Sequence, residues 1–322
     1  MRFPPAMVYC GMAAGLMLAG AVYAQDALRP QKVAAGVYAF IGEAGEITPA
    51  NRGFVGNSGF VVGPSGVVVI DTGSSYRHGR RMLEAIARIT DKPVQLVILT
   101  HAVQEFLFGS PAFDELGIPI LAHRETAKLM QARCEHCLAR LRAVLGPELE
   151  GTRLVLPKRL IDATTEIDTG GRRLRLLYFG WASTPGDLAV FDTETGVLFG
   201  GGMVSMGSIP DIRDSDFEGW QRALQQLAEL HPAQVVPGHG SVADAGAITQ
   251  TAAYLDALDR VVKGLYAQSS SLMESVEKAA LPAYRDWAMY GITHRQNALH
   301  RYLQLELQEL GADPRSTAMP ER

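Results

Sequence analysis

The stretch LVILTHAVQEFLFGS, Leu96 to Ser110, raises the first chemical question in this chain. Its apolar start reads as a buried strand. The strand delivers His101 into a polar and aromatic turn, and a histidine at the end of a strand is a common way to begin a metal site. Here it arrives alone, followed by Val103, Glu105 and Phe106. A second possible site is RCEHCLARL, where Cys134 and Cys137 stand three residues apart, on one face of a helix. Three readings apply to this pair. The favoured one is a structural disulfide across one helical turn, although that spacing strains ideal geometry. The others are a metal clip with His136 or His123, and a redox pair. A redox pair normally sits at a helix N-terminus rather than in mid-helix. Asp187, in STPGD, is read as a turn cap beside Ser183, or as a site carboxylate. His294 and His300 fall near helical spacing with Trp287, Tyr290 and Leu299 and read as core packing, while His78 and His231 read as ordinary surface residues.

Four stretches that could carry chemistry all follow strands: IDTG at Asp71, THAVQEF at His101, GWASTPGD around Ser183, and VVPGHG at His239, with LFGGGMV at Gly202 between the last two. Their order and spacing resemble the metallo-β-lactamase superfamily over roughly residues 33 to 242. In that family a Thr-His-x-His-x-Asp-His stretch, a later His, an Asp after a strand and a final His in a Pro-Gly-His-Gly loop hold one or two metal ions. Carried over residue by residue, His101 and His239 match. Glu105 stands where the Asp belongs. Val103 and Phe106 stand where two histidines belong, Ser183 where the next His would lie, and Gly202 where the bridging Asp would lie. A catalytic zinc usually takes three protein ligands plus water, and Val103 and Gly202 have no side-chain donor at all. The resemblance therefore implies a retained scaffold with no functional metal. The alternative is a single shifted zinc or iron held by His101, Glu105 and His239, since two imidazoles and a carboxylate are a known ligand set. By the same resemblance, Asp71 supports the site loop through hydrogen bonds.

These residues need a scaffold to position them. GNSGFVVGPSGVVVIDTG reads as a β-hairpin closed by Asp71-Thr72-Gly73. VAAGVYAFIGE, VQLVILTH and IPILAH read as further strands, residues 79 to 90 as a helix, and roughly Arg124 to Leu145 as a long amphipathic helix. RLRLLYFG, the hairpin LAVFDTETGVLFGGG, a helix opening at Asp216 and the strand AQVVPGHG follow. From about Ala243 the chain is mostly helical. Two strand-rich halves interleaved with helices predict a layered α/β architecture. The resemblance specifies a four-layer αβ/βα sandwich over residues 25–242, with a helical extension over 243–322 packed on it.

The formal net charge of the 322 residues is −4, so no basic field exists to attract nucleic acid. MRFPPAMVYCGMAAGLMLAGAVYAQDA carries one early cation, an uncharged apolar stretch and small residues before Gln25. It reads as a secretory signal peptide over residues 1–24, with an uncleaved anchor as the alternative. Cleavage would remove Cys10, leave no membrane span, and place the protein in the periplasm or outside the cell. Within the superfamily, the leader, the RCEHCLARLRAVLG helix followed by GTRLVLP, and the aromatic helical tail are similar to the exported quinoprotein relay system zinc metallohydrolases. That likeness implies a periplasmic setting beside quinoprotein-dependent oxidation. Three functions are carried forward: a non-catalytic binding or accessory protein for a small organic ligand or a periplasmic protein partner; an atypical one-metal hydrolase; and a thiol-disulfide protein using Cys134 and Cys137.

Overall fold

The computed structural model describes residues 27–313; the leader over residues 1–24 lies outside them. Seven strands form the first sheet in chain order: β1 (Gln31–Ala34), β2 (Val37–Phe40), β3 (Ser58–Val62), β4 (Val67–Ile70), β5 (Val94–Ile98), β6 (Ile120–His123) and β7 (Arg159–Ile161). Hairpins make β1 to β4 antiparallel, and helical crossovers make β4 to β7 parallel, as expected where a helix returns the chain to the same edge. The crossovers are α1 (Tyr76–Ala87), the short α2 (Gln104–Leu107) and α3 (Pro111–Asp114), and the long α4 (Arg124–Leu145). The second sheet holds β8 (Thr165–Thr169), β9 (Arg172–Leu177), β10 (Ala189–Asp192), β11 (Val197–Ser205) and β12 (Gln234–His239) in the order β12-β11-β10-β9-β8. Helix α5 (Phe217–Glu229) connects the parallel neighbours β11 and β12. After β12 come α6 (Gly246–Ala267), α7 (Leu272–Lys278) and α8 (Arg295–Glu309).

Three apolar clusters define the layers. Val61, Val68, Ile70 and Leu96 of the first sheet meet Leu176, Val190, Val197 and Phe199 of the second. On the outer face of the first sheet, Phe60, Val69 and Val97 pack with Met82 and Ile86 of α1 and Met130 and Leu138 of α4. Outside the second sheet, Leu198 and Val235 pack with Trp220 and Leu224 of α5, Tyr254 and Leu258 of α6 and Ala298 and Leu305 of α8. The helix–sheet–sheet–helix sandwich implied by the sequence is the architecture found.

Several local readings are corrected. VAAGVYAF is two strands rather than one, because Gly36 takes φ +71° and turns the chain into a hairpin. Helix α1 begins at Tyr76, earlier than residue 79, because the Ser75 hydroxyl accepts from the backbone N–H of His78 and caps it. Strands β7 and β8 were not anticipated. β7 is a largely exposed edge strand, and neither carries an apolar alternation to announce it. His78 is fully buried rather than on the surface, with its ring edge-on to Phe54 at 4.7 Å.

Candidate functional site

Strand register brings the predicted residues together. Ile70 of β4 pairs with Ile98 of β5, so the residues just past each strand end emerge side by side. The Asp71 carboxylate accepts from the Thr100 N–H at 2.8 Å through Oδ1 and from the Thr100 hydroxyl at 2.8 Å through Oδ2. Asp71 itself takes a left-handed backbone, φ +57°, a conformation that Asp tolerates better than most residues. Burial pushes its carboxyl up to about 7, against the lowering effect of the two Thr100 hydrogen bonds. Asp71 thus ties the end of β4 to Thr100, the residue before His101.

His101 is buried, and its Nδ1 lies 2.7 Å from the Thr100 hydroxyl oxygen. Since that hydroxyl donates to Asp71, Nδ1 is the protonated nitrogen, and Nε2 is left as the acceptor. Burial pulls the imidazole down to about 3, with Glu105 opposing and His239 adding to the shift, so His101 is neutral. A Cβ built on Gly202 would stand 2.9 Å from His101 Nε2, 2.7 Å from His101 Cδ2 and 2.8 Å from Ser183 Oγ. The position from which a bridging carboxylate would reach a metal is crowded by the His101 ring and the Ser183 hydroxyl.

Phe106 packs against both histidines. Its buried ring sits 4.3 Å from the His101 ring and 5.3 Å, edge to face, from the His239 ring. Gly56 makes room for it, since a Cβ there would come within 2.8 Å of the phenyl ring. His239 Nε2 instead meets Glu105 Oε1 at 3.2 Å. Burial raises the Glu105 carboxyl, but the His239 hydrogen bond and neighbouring charge outweigh it, and the group titrates below its ordinary value. Ser183 donates to Asp187 Oδ2 at 2.8 Å, and Thr184 donates to the same carboxylate through its N–H and its hydroxyl. Asp187 is therefore the turn cap of its loop, and burial raises it to about 6 against those hydrogen bonds.

A catalytic zinc fits these residues poorly. Val103 and Gly202 offer no donor, and the Phe106 ring lies against both imidazoles. The Ser183 hydroxyl is bonded to Asp187, and Glu105 and His239 are bonded to each other. Among the described residues no group of three or more His, Cys, Asp or Glu side chains is placed to share one metal ion. The trio His101, Glu105 and His239 is not gathered as such a group.

Beside the Glu105–His239 pair opens a cavity of about 430 Å³, within the range of small-molecule sites. Val103, Ile209, Met289 and Ile292 supply apolar wall, and Arg133, Arg140 and Arg213 stand in the wall with Asp211 and Asp214, Arg133 pairing with Asp214 at 2.6 Å. Cys134 and Cys137 face the same space from α4. They are not joined to one another, which corrects the disulfide expectation. Residues three apart on an unbroken helix hold their Cβ atoms about 5–6 Å apart, beyond the roughly 3.5–4.5 Å a disulfide needs. His136 points to solvent, and His123 caps α4 while stacking on Tyr178 at 3.9 Å, so neither completes a clip with the thiols.

Comparison with known proteins places this geometry. Residues 51–239 match the family model described as the Metallo-beta-lactamase superfamily. The chain belongs to that superfamily. It is 25% identical over 214 residues to a metallo-beta-lactamase type 2 of Bacillus cereus, covering 65% of this chain and 73% of that one. It is 22% identical over 211 residues to a linear primary-alkylsulfatase of a Pseudomonas strain, covering 55% of this chain and 40% of that protein. Among solved structures, a metallo-beta-lactamase from Pontibacter korlensis superposes with a TM-score of 0.59 at 23% identity, over 71% of this chain and 99% of its own. In this superfamily member two site supports went unread from sequence. Asn57 donates through Nδ2 to the Pro237 and Gly240 carbonyls, at 2.8 and 2.7 Å, and accepts from the Gly42 N–H, pinning the loop that presents His239. Gly56, with its room for Phe106, is the other. The GN dipeptide at Gly56 was the available signal, but its partners lie about 50 and 180 residues away.

Proposed function

We propose that this superfamily member is an exported, non-catalytic binding or accessory protein that holds a small organic ligand, in a periplasmic setting linked to quinoprotein-dependent oxidation. The observation that carries the reading is the Phe106 ring in contact with both His101 and His239, while His101 and Ser183 leave no room for a side chain at Gly202. Together they leave no room for an ion between the two imidazoles, while a cavity of ligand size opens on the other side of Glu105 and His239. The wall chemistry supports a ligand with an apolar body and at least one polar group. The Glu105–His239 pair offers a hydrogen-bonding anchor, and the paired arginines and aspartates of the wall offer further polar partners. Export rests on the leader pattern of residues 1–24.

The test is metal content and hydrolysis on the purified full chain after incubation with excess zinc or iron(II). The expected result is no retained stoichiometric metal at the His101 loop and no ester, lactam or sulfate-ester hydrolysis above background. About one retained zinc or iron per chain, lost together with hydrolysis in His239→Ala, would establish the one-metal hydrolase instead.

A further inference from the structure

The cavity carries a second set of donors that the superfamily reading does not use. Cys134 and Cys137 line its α4 wall one helical turn apart, Cys134 buried and Cys137 partly exposed. Arg140, one turn further on, donates from Nη2 to Cys137 Sγ at 3.7 Å, and Arg133 lines the same wall. A guanidinium beside a sulfur favours the thiolate, the form that binds metals. Their Cβ spacing of about 5–6 Å is too long for a disulfide but suits one atom held between two sulfurs. Two metal–sulfur bonds of about 2.3 Å end to end span about 4.6 Å.

We propose that Cys134 and Cys137 form a two-coordinate site for a soft monovalent metal ion, Cu(I) being the representative, on the α4 wall of the cavity. Two thiolates select soft ions. Zinc asks for four ligands, and the described residues place no third His, Cys, Asp or Glu in a group with the pair. Binding involves no electron transfer. Each S–H bond breaks, its proton leaves to solvent, and each sulfur lone pair forms a bond to Cu(I). The bis-thiolate complex carries one negative charge, beside which stands the Arg140 guanidinium that contacts Cys137. The site shares the cavity with the organic-ligand reading but not its Glu105–His239 anchor, and the copper titration does not require that reading to hold.

The experiment titrates the full chain carrying Cys10→Ser, reduced and anaerobic, with Cu(I) against a chromophoric Cu(I) chelator. The expected result is one Cu(I) per chain, lost in Cys137→Ser and in Cys134→Ser. Arg140→Gln should weaken binding about tenfold, the lower end of what removing a ligand's supporting partner does. X-ray absorption on the Cys10→Ser protein should show two sulfur neighbours, a readout that does not depend on how the cysteine variants fold. Unchanged Cu(I) uptake in the Cys134→Ser/Cys137→Ser variant overturns the proposal. So does failure of the folded, reduced protein to compete with the chelator, or a copper shell of nitrogen and oxygen alone.

Discussion

At the scale of single residues, the site is defined by side chains that are wrong for a metal and right for close packing. Gly202 is the sharpest case. Any side chain there starts 2.7 Å from the His101 ring, so Gly202→Asp does not simply restore a missing ligand. The expected outcome is a destabilisation of about 1–3 kcal/mol from overpacking, read as a lower urea midpoint, with zinc affinity unimproved. A stable Gly202→Asp chain that gains a tight zinc would refute this account of the pocket. His78 makes a second residue-scale prediction. Burial lowers its imidazole to about 3, so the unfolded chain takes up a proton below about pH 6.5 that the folded chain refuses. Its contribution to stability is therefore lost as pH falls from about 6.5 toward 3, and reaches about 2 kcal/mol by pH 5. His78→Leu keeps the apolar contact with Phe54 and should flatten that acid branch, measured as urea midpoints at pH 5 and pH 8. An unchanged difference between the two midpoints would contradict it. Val103, Phe106 and Gly202 could be read from sequence because each occupies a fixed place in a spaced motif. The burial of His78 could not, since a polar residue in the first turn of a helix carries no mark of a loop, here Phe54, folding over it.

At the scale of elements, the β4–β5 junction decides whether His101 is presented at all. Asp71 accepts both Thr100 donors while holding a left-handed backbone. Asn tolerates that backbone and keeps one acceptor, whereas Ala loses both hydrogen bonds and adds backbone strain. At about pH 4, before the Asp71 contribution is lost with rising pH, the order of stability expected is wild type, then Asp71→Asn lower by about 1–2 kcal/mol, then Asp71→Ala lower still. The pH dependence has the opposite sign to that of His78. The folded carboxyl is raised to about 7 from 3.8, so its favourable contribution is complete below about pH 4 and is lost as pH rises to about 7. Asp71→Asn should remove that falling branch, and thermal melts between pH 4 and pH 8 would reveal it. The strands and helices that position this junction were legible because their apolar runs and periodicity are strong: the β3–β4 hairpin, β5, α4 and α5 all lie close to where the sequence puts them. The β1–β2 hairpin was not, because a single glycine, Gly36, divides one continuous apolar-looking run. The pair Cys134 and Cys137 was legible as a shared helical face, but which wall of which cavity that face meets depends on packing against residues 209 to 214 and 289 to 296, far away in sequence.

At the scale of the whole molecule, the helices after β12 are built into the sandwich rather than appended to it. Tyr254 and Leu258 of α6 and Ala298 and Leu305 of α8 share one buried cluster with Trp220 of α5 and Leu198 of β11. The polar tie is Arg301, fully buried, which donates to Asp259 at 2.8 Å and Glu218 at 2.9 Å and lies 4.2 Å over the Phe217 ring. The sequence marks residues 243–322 as helical and aromatic but gives no sign of this ion network, whose members lie about 40 and 80 residues apart. Arg301→Ala strips the counter-charge from Asp259 and Glu218 and should cost about 3–5 kcal/mol. The larger consequence concerns the extension as a unit. Met289 and Ile292 line the cavity together with Val103, so loss of the tail would open that cavity as well as bare the outer face of the second sheet. A chain ending at residue 242 should therefore fail to refold as a soluble monomer, and the full chain should unfold in one cooperative transition followed equally by tryptophan fluorescence and circular dichroism. Two separated transitions, or a well-folded 25–242 fragment that keeps its ligand-sized cavity, would instead make the extension an independent module. The shared cluster around Trp220 argues for one unit, because its members come from both sides of residue 242 and none can be dried without the others.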